Sequence, residues 1–111
     1  MPFEKSKKIS KSLFIRRLVG ILEDRDLSFR SFSAQIGVSH ASLSRFISGG
    51  IAISPKMVAR VCKTLDDKAE AAELMKAFLT DQLQEINRAL PKNTPWAQEP
   101  IVTVAVRLPG K

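Results

Sequence analysis

The amino-acid sequence predicts an all-α fold of five helices, preceded by a basic arm and followed by a tail with a candidate β-strand. Three observations predict it: apolar residues recur at intervals of three and four, helix-capping side chains stand where each pattern begins, and glycine or proline stands where several end. A chain of 111 residues suffices for one compact domain. We place the arm at residues 1–11, the helical domain at 12–90 and the tail at 91–111, with the strand at 101–107.

The first helix follows the basic arm. The arm mixes lysines and serines, with only Phe3 and Ile9 as sizeable apolar side chains, so it buries too little surface to fold on its own. From Ser12 onwards apolar residues recur at helical spacing until the charged cluster at residues 23–26. The pattern predicts an amphipathic helix whose apolar side chains are Leu13, Phe14, Leu18, Ile21 and Leu22.

Two short helices come next, with a tight turn between them. Ser28 is a suitable N-cap for a helix over residues 29–36, and Gly37 is suited to the left-handed conformation that ends it. Ser39 caps a helix over residues 40–47, which a glycine pair stops. Helices joined by so short a turn cannot pack antiparallel, so they must cross steeply, as in a helix-turn-helix.

Two longer helices complete the domain. Ser54-Pro55 supplies an N-cap and a proline at the first helical position, and the inner side of this fourth helix holds Val58, Val61, Cys62 and Leu65. A fifth helix is predicted over residues 67–90, with acidic residues near its start, and Pro91 ends it. Its apolar stripe either forms a dimer seam or packs back onto the other helices, and it comprises Ala72, Met75, Leu79, Leu83, Ile86 and Leu90.

The tail holds residues that favour a β-strand after a turn-rich segment. A lone strand is not stable in water, so it must pair across a dimer or with a partner chain, or stay disordered. The candidate contacts of the tail with a partner protein are Trp96, Val102 and Val104.

Composition indicates a polyanionic partner. The 18 Lys and Arg residues outnumber 11 Asp and Glu residues, which gives a net charge of +7 and suits nucleic acid, although an anionic membrane surface would attract the chain too. Basic residues outnumber acidic ones by six to one over residues 1–17 and by six to three over 18–65, whereas acidic residues prevail by six to three over 66–90. The positive field therefore lies in the front half.

Other classes of protein fit the sequence poorly. A single cysteine, Cys62, excludes an internal disulfide and a thiolate zinc site, and its place on an apolar face is typical of a buried structural thiol. The acidic residues after it, Asp66, Asp67, Glu70 and Glu73, are interpreted as a solvated helix start rather than as metal ligands. Apolar runs are too short for a signal peptide or a membrane span. We expect a cytoplasmic protein that is not an enzyme, with no cofactor, no metal and no membrane partner.

Residues 27–50 contain the caps and the turn described above, together with a characteristic run of residues in the third helix. Leu27-Ser28 opens the segment, Gly37-Val38-Ser39 forms its turn, and Leu43-Ser44-Arg45 lies in the third helix with Gly49 after it. The combination resembles the helix-turn-helix of the Cro/C1-type repressor family, whose domains are lambda-repressor-like, and the likeness extends over about residues 12–65. Phe29, Ser33 and Ile47 stand where that family commonly has glutamine, alanine and glutamate.

The resemblance implies a DNA-binding face at the third helix. Gly37 meets the backbone demand of the turn, and Val38 pins the corner to the core. The start of the third helix would enter the major groove, so the candidate readers are Ser39, His40, Ala41, Ser42 and Arg45. Arg45 matches the O6 and N7 acceptors of guanine, although a phosphate contact or a solvated surface position would also suit it. The candidate phosphate contacts are Ser28, Arg30, Ser39, Ser44 and Lys56, with the lysines of the arm.

The expected function is therefore sequence-specific binding of double-stranded DNA by a transcriptional regulator, a repressor that acts as a homodimer on an inverted repeat. A second hypothesis is an antitoxin-like protein that binds a partner protein through its tail and represses its own promoter. A third is a helical interaction module without a DNA role, motivated by Phe29 and Ile47 in place of polar family residues.

Overall fold

The computed structural model describes residues 9–91, and over this range the chain is helical without any strand. Its five helices are α1 (Leu13–Asp24), α2 (Phe29–Ile36), α3 (His40–Ser48), α4 (Pro55–Leu65) and α5 (Lys68–Ala89). The predicted all-α class and the order of the helices are confirmed for this range. Most of the basic arm, the candidate strand at 101–107 and the tail contacts Trp96, Val102 and Val104 lie outside the described residues.

Each helix begins at a capping side chain that the sequence supplies. In every case the side-chain oxygen accepts a hydrogen bond from the backbone N–H three residues further on, and the caps are Ser12, Ser28, Ser39, Ser54 and Asp67. Such a cap stabilises a helix by about 1 kcal/mol. Gly37 and Gly49 end α2 and α3 in the left-handed conformation, with φ of 78° and 92°. Because caps act over three or four residues, the short helices have the boundaries that the sequence predicts to within one residue.

The core is built around three fully buried phenylalanines, Phe14 from α1, Phe32 from α2 and Phe46 from α3. The Phe14 ring meets that of Phe46 edge-to-face, with ring centroids 6.3 Å apart, and a similar contact joins it to Phe78 of α5. Ile15 and Val19 are buried on α1, whereas Leu13 is 40% exposed, so the inner face of α1 differs from the predicted one at these positions. All five helices contribute buried apolar side chains to this one core.

Helix α5 packs through a different face from the predicted one. Its fully buried side chain is Leu74, with Ala71, Ala77 and Phe78 packed beside it. Three residues of the stripe expected either to pack on the core or to form a dimer seam are exposed: Met75, Leu79 and Ile86 are 47%, 57% and 60% exposed. Packing on the core is therefore wrong at these positions, whereas Leu83 and Leu90 are half-buried. Successive helix positions differ by about 100° in direction, and the stripe begins one residue after the side chains that enter the core.

Asp81 of α5 caps the start of α1 and fixes how the two helices meet. Its Oδ2 accepts hydrogen bonds from Ser12 Oγ at 2.7 Å and from the Phe14 N–H at 3.0 Å. Its Oδ1 accepts one from the Leu13 N–H at 2.9 Å. A carboxylate is well placed here because a helix N-terminus carries unpaired N–H groups and a partial positive charge. Asp81 therefore anchors the long helix against α1.

Candidate nucleic-acid interface

The turn between α2 and α3 is short and closely hydrogen-bonded. The Gly37 N–H donates to the Ala34 carbonyl, and the Val38 N–H donates to the Ser33 carbonyl at 3.0 Å. A Cβ at Gly37 would meet no atom within 4 Å, so glycine is required there for its φ of 78° and not for space. Val38 is half-buried and packs against the core. Both residues therefore occupy the positions that the sequence assigns to them.

Helix α3 presents a narrow exposed ridge. Leu43, Phe46 and Ile47 are buried and attach the helix to the core. Ala41 and Arg45 are exposed on the opposite side, four residues apart, so they lie on one face. Ser48 continues this ridge, and its hydroxyl donates to the Arg45 carbonyl at 3.0 Å. Sequence reasoning did not include Ser48 among the readers, although its spacing of three from Arg45 is the signal that identifies it.

The remaining predicted readers, and the predicted phosphate contact Ser44, flank this ridge. His40 and Ser44 are half-buried and lie four residues apart on one side, and half-buried Ser42 lies on the other. Ser39 Oγ accepts a hydrogen bond from the Ser42 N–H at 3.0 Å and donates to Ser42 Oγ at 2.9 Å. A base or phosphate contact by Ser39 must therefore share a hydroxyl that already caps α3. The Arg45 guanidinium has no such constraint among the described residues.

Two predicted phosphate contacts, Ser28 and Arg30, lie at the start of α2. Ser28 Oγ accepts from the Ser31 N–H at 3.0 Å and donates to Ser31 Oγ at 3.1 Å, so it is also a cap. Arg30 is exposed. Phe29, in place of the family's glutamine, is 8% exposed, so it belongs to the core and leaves Arg30 as the charged group at this end of the helix.

The surface from the second to the fourth helix is positively charged without any compensating acid. Residues 27–65 contain no Asp or Glu, and their five basic side chains are all exposed: Arg30, Arg45, Lys56, Arg60 and Lys63. Within the part of the chain that the structure describes, none of the five forms an ion pair. Arg17 of α1 and Arg25, which follows its last residue, differ, since each forms an ion pair of 2.6 Å with a glutamate of α5. The stretch from α2 to α4 therefore carries basic side chains with no acid among them.

The acidic residues near the start of α5 have structural roles. Asp67 caps the helix. Glu70 accepts a hydrogen bond from Arg25 Nη2, and Glu73 accepts hydrogen bonds from Nε and Nη2 of Arg17. Asp66 takes a left-handed conformation with φ of 52° at the end of α4. Over residues 9–91 no cluster of His, Cys, Asp and Glu side chains is suited to a metal ion. These contacts account for the cluster without a ligand.

Cys62 is buried between α4 and α5, with its Sγ 3.9 Å from the Ala71 carbonyl. Burial removes water from the thiol and raises its pKa above the ordinary value, which is the opposite of what a nucleophilic cysteine needs. The thiol therefore belongs to the packing of the two helices. No helix within residues 9–91 is long and apolar enough to cross a membrane.

Comparison of the chain with protein-family models, with curated proteins and with solved structures finds no significant match. The geometry and charge of the chain's own residues therefore carry the proposed function.

Proposed function

We propose that this protein is a sequence-specific DNA-binding transcriptional regulator in which α2 and α3 form a lambda-repressor-like helix-turn-helix. The observation that carries the proposal is the exposed ridge of α3, which follows a tight glycine turn and lies within an acid-free basic surface. A helix presented in this way fits the major groove of duplex DNA, where its first turns meet base edges.

Arg45 is the residue to which we assign sequence recognition. It is exposed and forms no ion pair with another described residue, so its guanidinium is available to the O6 and N7 acceptors of guanine. Ala41 on the same ridge offers its methyl group to thymine. The flanking polar side chains, His40 and Ser42, supply further contacts to base edges or phosphates.

Phosphate contacts orient the helix without reading sequence. Arg30 and Lys56 supply charge at the starts of α2 and α4, and the lysines of the arm add to it. The capping serines Ser28 and Ser39, and Ser44 on the flank of α3, complete the proposed contacts.

We assign the exposed stripe of α5 to a second copy of the chain. From Ala72 to Leu90 the stripe spans about 27 Å, its own six residues are apolar, and exposed Lys76 lies at its edge, three residues before Leu79. Large apolar side chains exposed in a row mark an interaction surface. A two-fold dimer would bring two reading helices to an inverted repeat, and repression would follow from occlusion of the promoter.

The antitoxin-like alternative stays a prediction, because the tail on which it depends lies outside the described residues. The α5 stripe also offers a surface to a partner protein, and the oligomeric state of the purified chain separates the two assignments.

Selection from a pool of random duplexes tests the proposal. The purified protein, Arg45→Ala and a matched Arg88→Ala control on α5 would each be incubated with the pool, and the bound DNA sequenced. We expect the wild type and the control to enrich one palindromic sequence that Arg45→Ala loses. Binding without enrichment would refute sequence-specific recognition, and no binding to DNA would refute the function as a whole.

A further inference from the structure

Helix α4 carries a row of basic side chains along its outer surface. Lys56, Arg60 and Lys63 are spaced by four and three residues, so they lie on one face of the helix. Val58, Val61 and Leu65 attach α4 to the core from the opposite face. All three basic side chains are exposed, and none forms an ion pair with another residue in the range 9–91.

This row works against the stability of its own helix. Like charges at spacings of three and four repel each other on a helix surface. Lys56 lies in the first turn, where the helix dipole disfavours a cation, although Lys63 near the other end is favoured. By contrast, Arg17 and Arg25 are each neutralised by a glutamate of α5. A row of like charges that destabilises its own helix and has no acidic partner within the protein is expected where a ligand supplies the negative charge.

The dimensions of the row fit one strand of a nucleic-acid backbone. From the second to the ninth residue of α4, seven residues span about 10 Å along the helix axis. Each strand of duplex DNA carries one phosphate per about 3.4 Å of rise along the duplex axis, and neighbouring phosphates are further apart than this because the strand winds around the axis. A row of about 10 Å therefore reaches two to three neighbouring phosphates. The row lies with Arg30 and Arg45 in residues 27–65, which contain no acid.

We propose that Lys56, Arg60 and Lys63 form a second DNA contact, a row on α4 that binds the sugar-phosphate backbone outside the groove read by α3. Only the first of the three is expected from the start of α4 alone; Arg60 and Lys63 extend the contact along the helix. The row contributes affinity and salt dependence but no sequence preference, since phosphates are the same in every sequence. The inference rests on the proposed function for its partner and assigns to it a separate surface.

The salt dependence of binding tests this inference. Affinity for the selected duplex and for a scrambled duplex would be measured by fluorescence anisotropy over a series of KCl concentrations. The triple variant Lys56→Gln/Arg60→Gln/Lys63→Gln is compared with Lys68→Gln/Lys76→Gln/Arg88→Gln on α5, which removes the same formal charge. We expect the α4 variant to lower the slope of log K against log salt by about 2 to 3 for each bound subunit, at about 0.9 per lost phosphate contact, for both duplexes. The α5 variant should change it by less than about 1.

The outcomes separate this inference from the function on which it rests. Thermal unfolding first establishes that both variants are folded. An unchanged slope for the α4 variant, or an equal loss for the α5 variant, overturns the inference, and enrichment of a motif dependent on Arg45 would then leave the proposed function standing. A slope that falls as expected with no enriched motif supports the α4 contact and overturns sequence-specific recognition. Binding of the wild type to vesicles of anionic lipid, but not to DNA, would overturn both.

Discussion

At the scale of single residues, most of the chain follows from local rules. A serine or aspartate three residues before the N–H group that it caps, and a glycine at the end of a short helix, are visible in the sequence because both act within one helical turn. The contacts of Asp81 show the opposite case. Its partners Ser12, Leu13 and Phe14 lie nearly seventy positions away, and no local pattern marks a carboxylate in α5 as the cap of α1.

The backbone of Gly37 gives the sharpest prediction at this scale. Gly37→Ala forces a side chain into a left-handed conformation and should lower the free energy of unfolding by about 1 to 2 kcal/mol. The matched control is Gly20→Ala in the middle of α1, where the new Cβ would meet Arg17 at an ordinary 3.8 Å. It should raise stability by about 0.4 to 1 kcal/mol. Urea denaturation of both variants measures the difference, and equal effects would show that the turn does not need its glycine.

Asp81→Ala tests the cap between helices. The carboxylate accepts three hydrogen bonds, and its removal leaves the start of α1 unpaired, so we expect a loss of about 2 to 3 kcal/mol in urea denaturation. Asp67→Ala removes a cap within one helix and should lose about 1 kcal/mol. An Asp81 variant no less stable than the Asp67 variant would mean that α5 is held by its apolar contacts alone.

At the scale of whole helices, the sequence predicts where each helix lies better than which way it faces. Helix α5 contains two stripes, and the one with larger side chains is exposed while Ala71, Leu74 and Phe78 meet the core. Helical spacing alone does not show which stripe is buried, because the residues of both stripes recur at intervals of three and four. The choice depends on Phe14 and Phe46, with which the Phe78 stripe shares the core, and on Asp81, and these contacts are long-range.

The orientation of α5 makes the dimer testable. Leu79 is 57% exposed, so Leu79→Glu should change the stability of the monomer by no more than about 0.5 kcal/mol. A charge in the seam of two identical faces should nevertheless dissociate the dimer. Sedimentation equilibrium should show a dimer for the wild type and for Ala69→Glu, an exposed position off the stripe, and a monomer for Leu79→Glu. A monomeric wild type would overturn the assignment of the stripe to a second copy.

At the scale of the whole molecule, charge is segregated. The sequence predicts the basic front half and the acidic α5 from composition, because charge counts need no structure. It does not reveal that Arg17 and Arg25 are neutralised by α5 while Arg45 and the basic side chains of α4 are left unpaired among the described residues. That division follows from packing, since α5 lies against α1 and presents Glu70 and Glu73 to its arginines. It leaves the basic side chains of α2, α3 and α4 available for the DNA contact that we propose.

The most direct test of sequence recognition by α3 measures whether Arg45 and one guanine base act together in binding. Binding of the wild type and Arg45→Ala would be measured on the selected duplex and on the same duplex with 7-deazaguanine in place of the contacted guanine, which removes the N7 acceptor. If Arg45 reads that base, each change alone should weaken binding by about 1 to 3 kcal/mol, and the two together should weaken it little further. Losses that add in full, or a wild type indifferent to the modified base at every guanine, would contradict recognition by α3.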